Sequence, residues 1–146
     1  IESFIAKQRL EGELGLIVVD YLQLLSVPGV ESRVQEISQI SRTLKKIAME
    51  YETSVLALSQ LNRALESQNR NPMLSDLRES GSIEQDADCV LLMHREKEVD
   101  PTNDDIICNV AKNRNGEVRA TKLTFTKPTG RFSTRVDARL HDKKPF

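Results

Sequence analysis

"GLIVVDYLQLL", residues 15–25, runs four apolar side chains, Leu16 to Val19, straight into a carboxylate at Asp20 with no turn residue between them. A short, continuous apolar run predicts a strand buried on both faces of a parallel sheet, since a strand with one wet face would alternate. In open α/β sheets, ligands collect at the carboxyl ends of parallel strands. An acid standing there can hold a magnesium ion through its waters, or it can simply cap a loop. The stretch alone leaves both readings open.

On either side of it the pattern is helical. Phe4, Ile5 and Leu10 recur at helical spacing and stop near Gly12 and Gly15, so a helix leads into the strand. After "SVPGVES", Ser32 suits an N-cap, and Val34, Ile37, Ile40, Leu44, Ile47 and Ala48 form one stripe of an amphipathic helix. Three further apolar runs, 54–58, 89–93 and 106–111, read as parallel strands alongside the first. "VRATKLTFT" then passes through "KPTG" into "RFSTRV", with Pro128 and Gly130 at positions i+1 and i+3 of a type I turn, which predicts an antiparallel hairpin. Together these predict an α/β layer fold, with residues 138–146 as a loose tail.

Composition narrows the function classes. At 146 residues, with 38% hydrophobic and 29% charged side chains, the chain has the balance of a globular domain with a core. Its apolar runs fall far short of the roughly 20 residues that span a bilayer. "IESFIAKQRL" has neither a basic leader nor a cleavage signal, so a cytoplasmic location and no membrane partner are expected. Cys89 and Cys108 sit inside apolar runs, as packed, reduced thiols do. His94 and His141 have no ligand-spaced companions and are assigned no chemistry. Residues 1–111 carry 11 Lys and Arg against 19 Asp and Glu, and residues 112–146 carry 10 against 3. A basic end of this kind can meet phosphate or an acidic neighbour, or can be a solvated face.

Several polar stretches could carry chemistry. Gln60, in "LALSQLNR", follows a strand, where a neutral amide can sense a γ-phosphate or serve as ordinary turn chemistry. In "SDLRESGSIEQDAD", Arg78 and Glu79 precede Ser80, Gly81 and Ser82, whose small side chains leave backbone amides accessible. "SIEQ" can open a helical turn that favours an anion, so this segment can grip a nucleic-acid backbone or form a solvated turn with an Arg–Glu pair. No aromatic residue lies near it to stack on bases. In "AKNRNGEV", Lys112 and Arg114 are placed beyond a strand end, and Arg114 suits a finger that reaches a neighbouring subunit's phosphates, or a plain surface arginine. A phosphate loop, G-x-x-x-x-G-K-[ST], is not found, because none of the six glycines precedes lysine.

In order, "GLIVVDYLQLL", "RVQEISQISRTLKKIAMEYETSVLALSQLNR", "SDLRESGSIEQDADCVLLMHR" and "AKNRNG" closely resemble the C-terminal motor domain of the bacterial replicative helicases, the DnaB family, from about residue 2 to 133. The resemblance implies a partial RecA-like P-loop NTPase core over residues 1–137, with a mostly parallel sheet, flanking helices and a C-terminal hairpin. It implies ATP and Mg2+ as cofactors and a homohexamer that moves along single-stranded DNA, with primase and a helicase loader as partners. By position it implies that Asp20 is the Walker B acid on the metal and that Gln60 is the sensor between γ-phosphate and DNA. Arg78, Glu79 and Gly81 match the loop that holds DNA by its backbone. Lys112 and Arg114 match the basic pair that reaches the adjacent subunit's nucleotide, Arg114 as the finger. The family's phosphate loop and catalytic glutamate lie upstream of the matched residues, so these 146 residues are expected to be an inactive fragment of the motor. A non-catalytic remnant that docks on DNA or a replication partner, and a recombinase-like filament ATPase, are the alternatives.

Overall fold

Ile37, Ile40, Leu44 and Ile47 sit on one side of a single helix because three- and four-residue steps return to the same face. All four are buried, and Ile37, Ile40 and Leu44 form the centre of the core with Leu22, against which Val19, Leu25, Val27, Val55 and Ile83 pack. The computed structural model describes residues 2–62, 65, 68, 70–95 and 105–134, without the side chains of 78–80. The expected tail at 138–146, the boundary at 137 and His141 lie outside the described residues.

The elements run α1 (Glu2–Glu11), β1 (Leu16–Val19), a 3-10 turn (Leu22–Leu24), α2 (Arg33–Glu50) and β2 (Ser54–Ala57). A second 3-10 segment (Leu74–Ser80), α3 (Gly81–Asp86), β3 (Cys89–Arg95), β4 (Asp105–Asn113), β5 (Ala120–Thr126), a 3-10 turn (Lys127–Thr129) and β6 (Arg131–Thr134) follow. They divide into two compact units, α1 to α3 in the first and β3 to β6 in the second.

In the first unit β1 and β2 pair in parallel, Leu16 opposite Ser54 and Val19 opposite Ala57, with α2 as the connection. Burial of β1 differs from the expectation. Ile17 and Val19 are half-buried, whereas Leu16 and Val18 are 55% and 56% exposed. The strand therefore packs one face on the α2 core, although its sequence is apolar throughout. Ser32 adopts the extended backbone of an N-cap but makes no side-chain capping bond; only its carbonyl takes part, accepting the Glu36 amide at 2.9 Å. At the other end Thr53 N–H reaches the Ala48 carbonyl at 3.0 Å, which ends α2 in a Schellman turn with Glu52 left-handed at φ 49°.

The second unit is an antiparallel sheet in the order β3-β4-β5-β6. Here the expected parallel direction of 89–93 and 106–111 is corrected: Met93 faces Cys108 and His94 faces Ile107 in an antiparallel ladder. Only residues 96–104 link these strands, too few for the crossover of about a dozen or more that parallel pairing needs. The C-terminal hairpin is as expected. Phe125 pairs with Phe132, and Gly130, at φ 62°, donates its amide to the Lys127 carbonyl at 3.3 Å. The rings of Phe125 and Phe132 lie 4.7 Å apart and reinforce that register.

Candidate functional site

Asp20 occupies the first position past β1 and is exposed. The ladder continues around it: Leu58 N–H donates to the Val19 carbonyl at 2.9 Å, and Leu22 N–H donates to the Leu58 carbonyl at 2.9 Å. Leu58 thus brackets Asp20 and Tyr21 from the neighbouring strand end, and their peptide bond is cis. The same parallel pairing brings the loop of Gln60, also exposed, beside the loop of Asp20. These two sequence-derived candidates are the pair the fold unites most directly.

Gln23 was not singled out in the sequence, yet it joins the two loops. Its Nε2 donates to Ser59 Oγ at 3.0 Å and to the Gln60 carbonyl at 3.4 Å, and its Oε1 accepts the Gln60 amide at 3.3 Å. The signal that could have found it was one amide side chain set among the leucines of "YLQLL", directly after the acid. Arg33 and Glu36, also missed, clamp this loop from the first turn of α2. Arg33 Nη2 donates to the Gln23 carbonyl at 2.7 Å, its Nη1 donates to the Leu25 carbonyl at 3.0 Å, and the guanidinium pairs with Glu36. Glu36, 8% exposed, accepts the Val27 amide at 2.6 Å. The Val27 amide and then the Arg33 guanidinium hold its carboxyl below the ordinary glutamate range, against the opposing effect of burial.

Arg78 and Glu79 lie in the 3-10 segment, and Gly81 opens α3, so the stretch expected as a loop is helical here. Its ends are anchored. Asp76 is buried and accepts the Met73 amide at 2.7 Å, Leu77 is buried, and the Asp76 carbonyl accepts the Asn62 amide at 3.2 Å. On the far side Ser82 Oγ donates to Ser38 Oγ at 2.9 Å and Ser41 Oγ donates to Asp86 at 2.8 Å, tying α3 to α2. The side chains of Arg78 and Glu79 are outside the described set, so the segment contributes its backbone course and its anchors.

In the second unit Lys112 lies within β4, half-buried, and not beyond the strand as expected. Arg114 follows on the turn and is exposed. Asn113 builds that turn: its Oδ1 accepts the Asn115 amide at 3.3 Å and its Nδ2 donates to the Glu117 carbonyl at 3.4 Å. A Cβ on Gly116 would stand 2.7 Å from Asn113 Nδ2, so glycine is what admits the amide.

Among the described residues no group of three or more His, Cys, Asp and Glu could hold a metal ion. A single exposed carboxylate, Asp20, fits a hard cation that keeps its waters and arrives with phosphate, as magnesium does, and does not fit a closed protein cage. A cavity of about 500 Å³ on α2, lined by Arg42, Lys45, Lys46, Met49, Glu50 and Asp86, contains none of the candidate residues. No described helix is long and apolar enough to cross a membrane.

Against known proteins, the model of the DnaB-like helicase C terminal domain matches residues 1–134. The replicative DNA helicase DnaB of Geobacillus stearothermophilus is 50% identical over 128 residues, 84% of this chain and 28% of the relative. The replicative DNA helicase DnaC of Bacillus subtilis (strain 168) is 47% identical over the same length and coverage. A solved ATPase domain aligns with a TM-score of 0.78 at 42% identity, covering 91% of this chain and 49% of that one. A DnaB-like replicative helicase, solved in a study of its interactions with primase, aligns with a TM-score of 0.78 at 40% identity, covering 90% and 33%. The chain spans 28% of the length of these two curated relatives. A family model that takes in nearly every residue, joined to neighbours that share both the fold and the sequence, shows that the chain belongs to the DnaB-like helicase C-terminal domain family.

Proposed function

We propose that this chain is part of the motor of a cytoplasmic replicative DNA helicase, a homohexameric ring that uses ATP to move along single-stranded DNA and unwind duplex. The observation that carries this reading is the ladder that sets the loops of Asp20 and Gln60 side by side at the carboxyl ends of two parallel strands. Asp20 would hold magnesium through its waters, and the cation supplies charge neutralisation at the nucleotide's phosphates when bound. Gln60 presents a neutral amide for γ-phosphate without adding charge. Arg78, Glu79 and Gly81 hold the DNA backbone, and Arg78 supplies the attraction to phosphate. Lys112 and Arg114 reach the nucleotide of the adjacent subunit, where a guanidinium stabilises the charge of the transferring phosphoryl group.

The helical course of residues 74–86 gives the coupling a physical basis. Its near end is bonded to the chain just after Gln60 through Asn62, and its far end is bonded to α2. A shift of the Gln60 loop on hydrolysis would therefore be passed to the DNA-holding residues through Asn62 and Asp76. Primase and a helicase loader are the expected protein partners. The test is Asp20→Ala in the full-length protein, with ATP turnover and strand displacement measured. Loss of both, with hexamers retained, supports the assignment; normal turnover removes Asp20 from the metal site.

A further inference from the structure

The Gln23 side chain meets the backbone N–H and carbonyl of one residue, Gln60, with the two halves of its amide. It accepts from the Gln60 N–H at 3.3 Å and donates to the Gln60 carbonyl at 3.4 Å, with Ser59 Oγ as a second acceptor at 3.0 Å. A primary amide offers the donor and acceptor that a strand residue would offer, so it can extend a ladder where the backbone has already turned away. The β1–β2 ladder does turn away there: its last backbone bond runs from Leu22 N–H to the Leu58 carbonyl. Gln23 supplies the next rung with its side chain.

The rung is held from behind. Arg33 grips the Gln23 carbonyl at 2.7 Å, Glu36 pairs with Arg33, and Glu36 also takes the Val27 amide at 2.6 Å. Gln23 is half-buried: its bond to Ser59 Oγ is partly shielded, and its two bonds to Gln60 face solvent. Gln60, in contrast, is exposed, and the direction of its side chain follows from how its own backbone is held.

We infer that Gln23 is a positioning residue: its amide fixes the Gln60 backbone relative to the Asp20 loop and so aims the Gln60 side chain. This rests on the reading of Gln60 as the γ-phosphate sensor. Glutamine suits the role because a carboxylate at position 23 could accept from the Gln60 amide but could donate to neither Ser59 nor the Gln60 carbonyl, and would add charge beside a triphosphate. Methionine has a similar volume and supplies none of the three bonds.

The experiment uses the full-length protein with Gln23→Met, Gln60→Ala and the double variant. Amide hydrogen exchange over residues 58–62 is measured without nucleotide, alongside ATP turnover and the affinity for a fluorescent ATP analogue. Gln23→Met is expected to lose protection at the Gln60 amide and to lower kcat about ten- to hundredfold, with analogue affinity within about twofold. The double variant is expected to be no slower than Gln60→Ala, because Gln23 acts through Gln60. Wild-type exchange and turnover in Gln23→Met, with Gln60→Ala impaired, overturn the role of Gln23 alone. Losses that multiply in the double variant also overturn it. Full activity in Gln60→Ala overturns the sensor reading and this inference with it. Should Gln23→Met lower the melting temperature, Gln23→Asn keeps the amide but sets it one methylene short; the same losses support the role and normal turnover overturns it.

Discussion

Glu36 Oε1 accepts the Val27 amide at 2.6 Å while the same carboxylate pairs with Arg33, so one buried acid closes the loop that carries Asp20. Its carboxyl is held below the ordinary range, so protonation is harder in the folded state than in the unfolded one. The stabilisation is thus fully present above the ordinary glutamate pKa and is lost as the pH falls through the lowered folded value. Thermal melts of the wild type and Glu36→Gln should differ most near neutral pH and converge as the pH falls through the lowered folded value. A difference that stays constant across that range would show that Glu36 does not titrate in this clamp.

Glu52 ends α2 in the left-handed region, at φ 49°. A side chain there costs about 1 kcal/mol that glycine avoids, partly offset by glycine's greater freedom in the unfolded chain. Glu52→Gly is expected to stabilise the protein by about 0.5 kcal/mol in chemical denaturation, and Glu52→Val to destabilise it.

Ile37 and Val34 both belong to the apolar stripe of α2, but Ile37 is 2% exposed and Val34 is 48% exposed. Ile37→Ala should cost about 2–5 kcal/mol, since it opens a cavity beneath Leu22 and Leu44. Val34→Ala should stay within about 0.5 kcal/mol. Equal costs would mean that α2 is rotated from the orientation described.

Gly116→Ala forces Asn113 Nδ2 away from its present position and removes its bond to the Glu117 carbonyl, loosening the turn that presents Arg114. Loss of that bond should cost about 1 kcal/mol. In the full-length protein Arg114→Ala should reduce ATP hydrolysis roughly a thousandfold and leave nucleotide binding intact, with Gly116→Ala falling between it and the wild type. Normal hydrolysis in Arg114→Ala would end its assignment as a finger.

Arg78→Ala should weaken single-stranded DNA binding about equally for all sequences and reduce the salt-dependence slope by about 0.7, the signature of one lost phosphate contact. An unchanged slope, measured by fluorescence anisotropy across a salt series, would place Arg78 away from the DNA.

The helix α2 and the hairpin turn were legible from residues 33–50 and 127–130 because both are local. A stripe at three- and four-residue spacing specifies a helix face, and Pro128 with Gly130 specifies a turn, whatever lies elsewhere in the chain. Strand direction was less legible. A continuous apolar run implies two-sided burial, yet Val90 and Leu92 are buried while Leu91 and Met93 are exposed, so β3 has the alternating burial of a one-faced strand without alternating polarity.

Of the candidate residues, the sequence by itself determined the acid after the first strand and the amide after the second, since both follow from where short apolar runs stop. Only the tertiary structure decided that a third residue, Gln23, bonds to Gln60 across 37 positions of chain, and that Arg33 holds it there. Periodicity is a property of neighbours a few residues apart, whereas a side-chain hydrogen bond of that span depends on the register of two strands and the docking of a helix turn. Those are set by packing of the whole core.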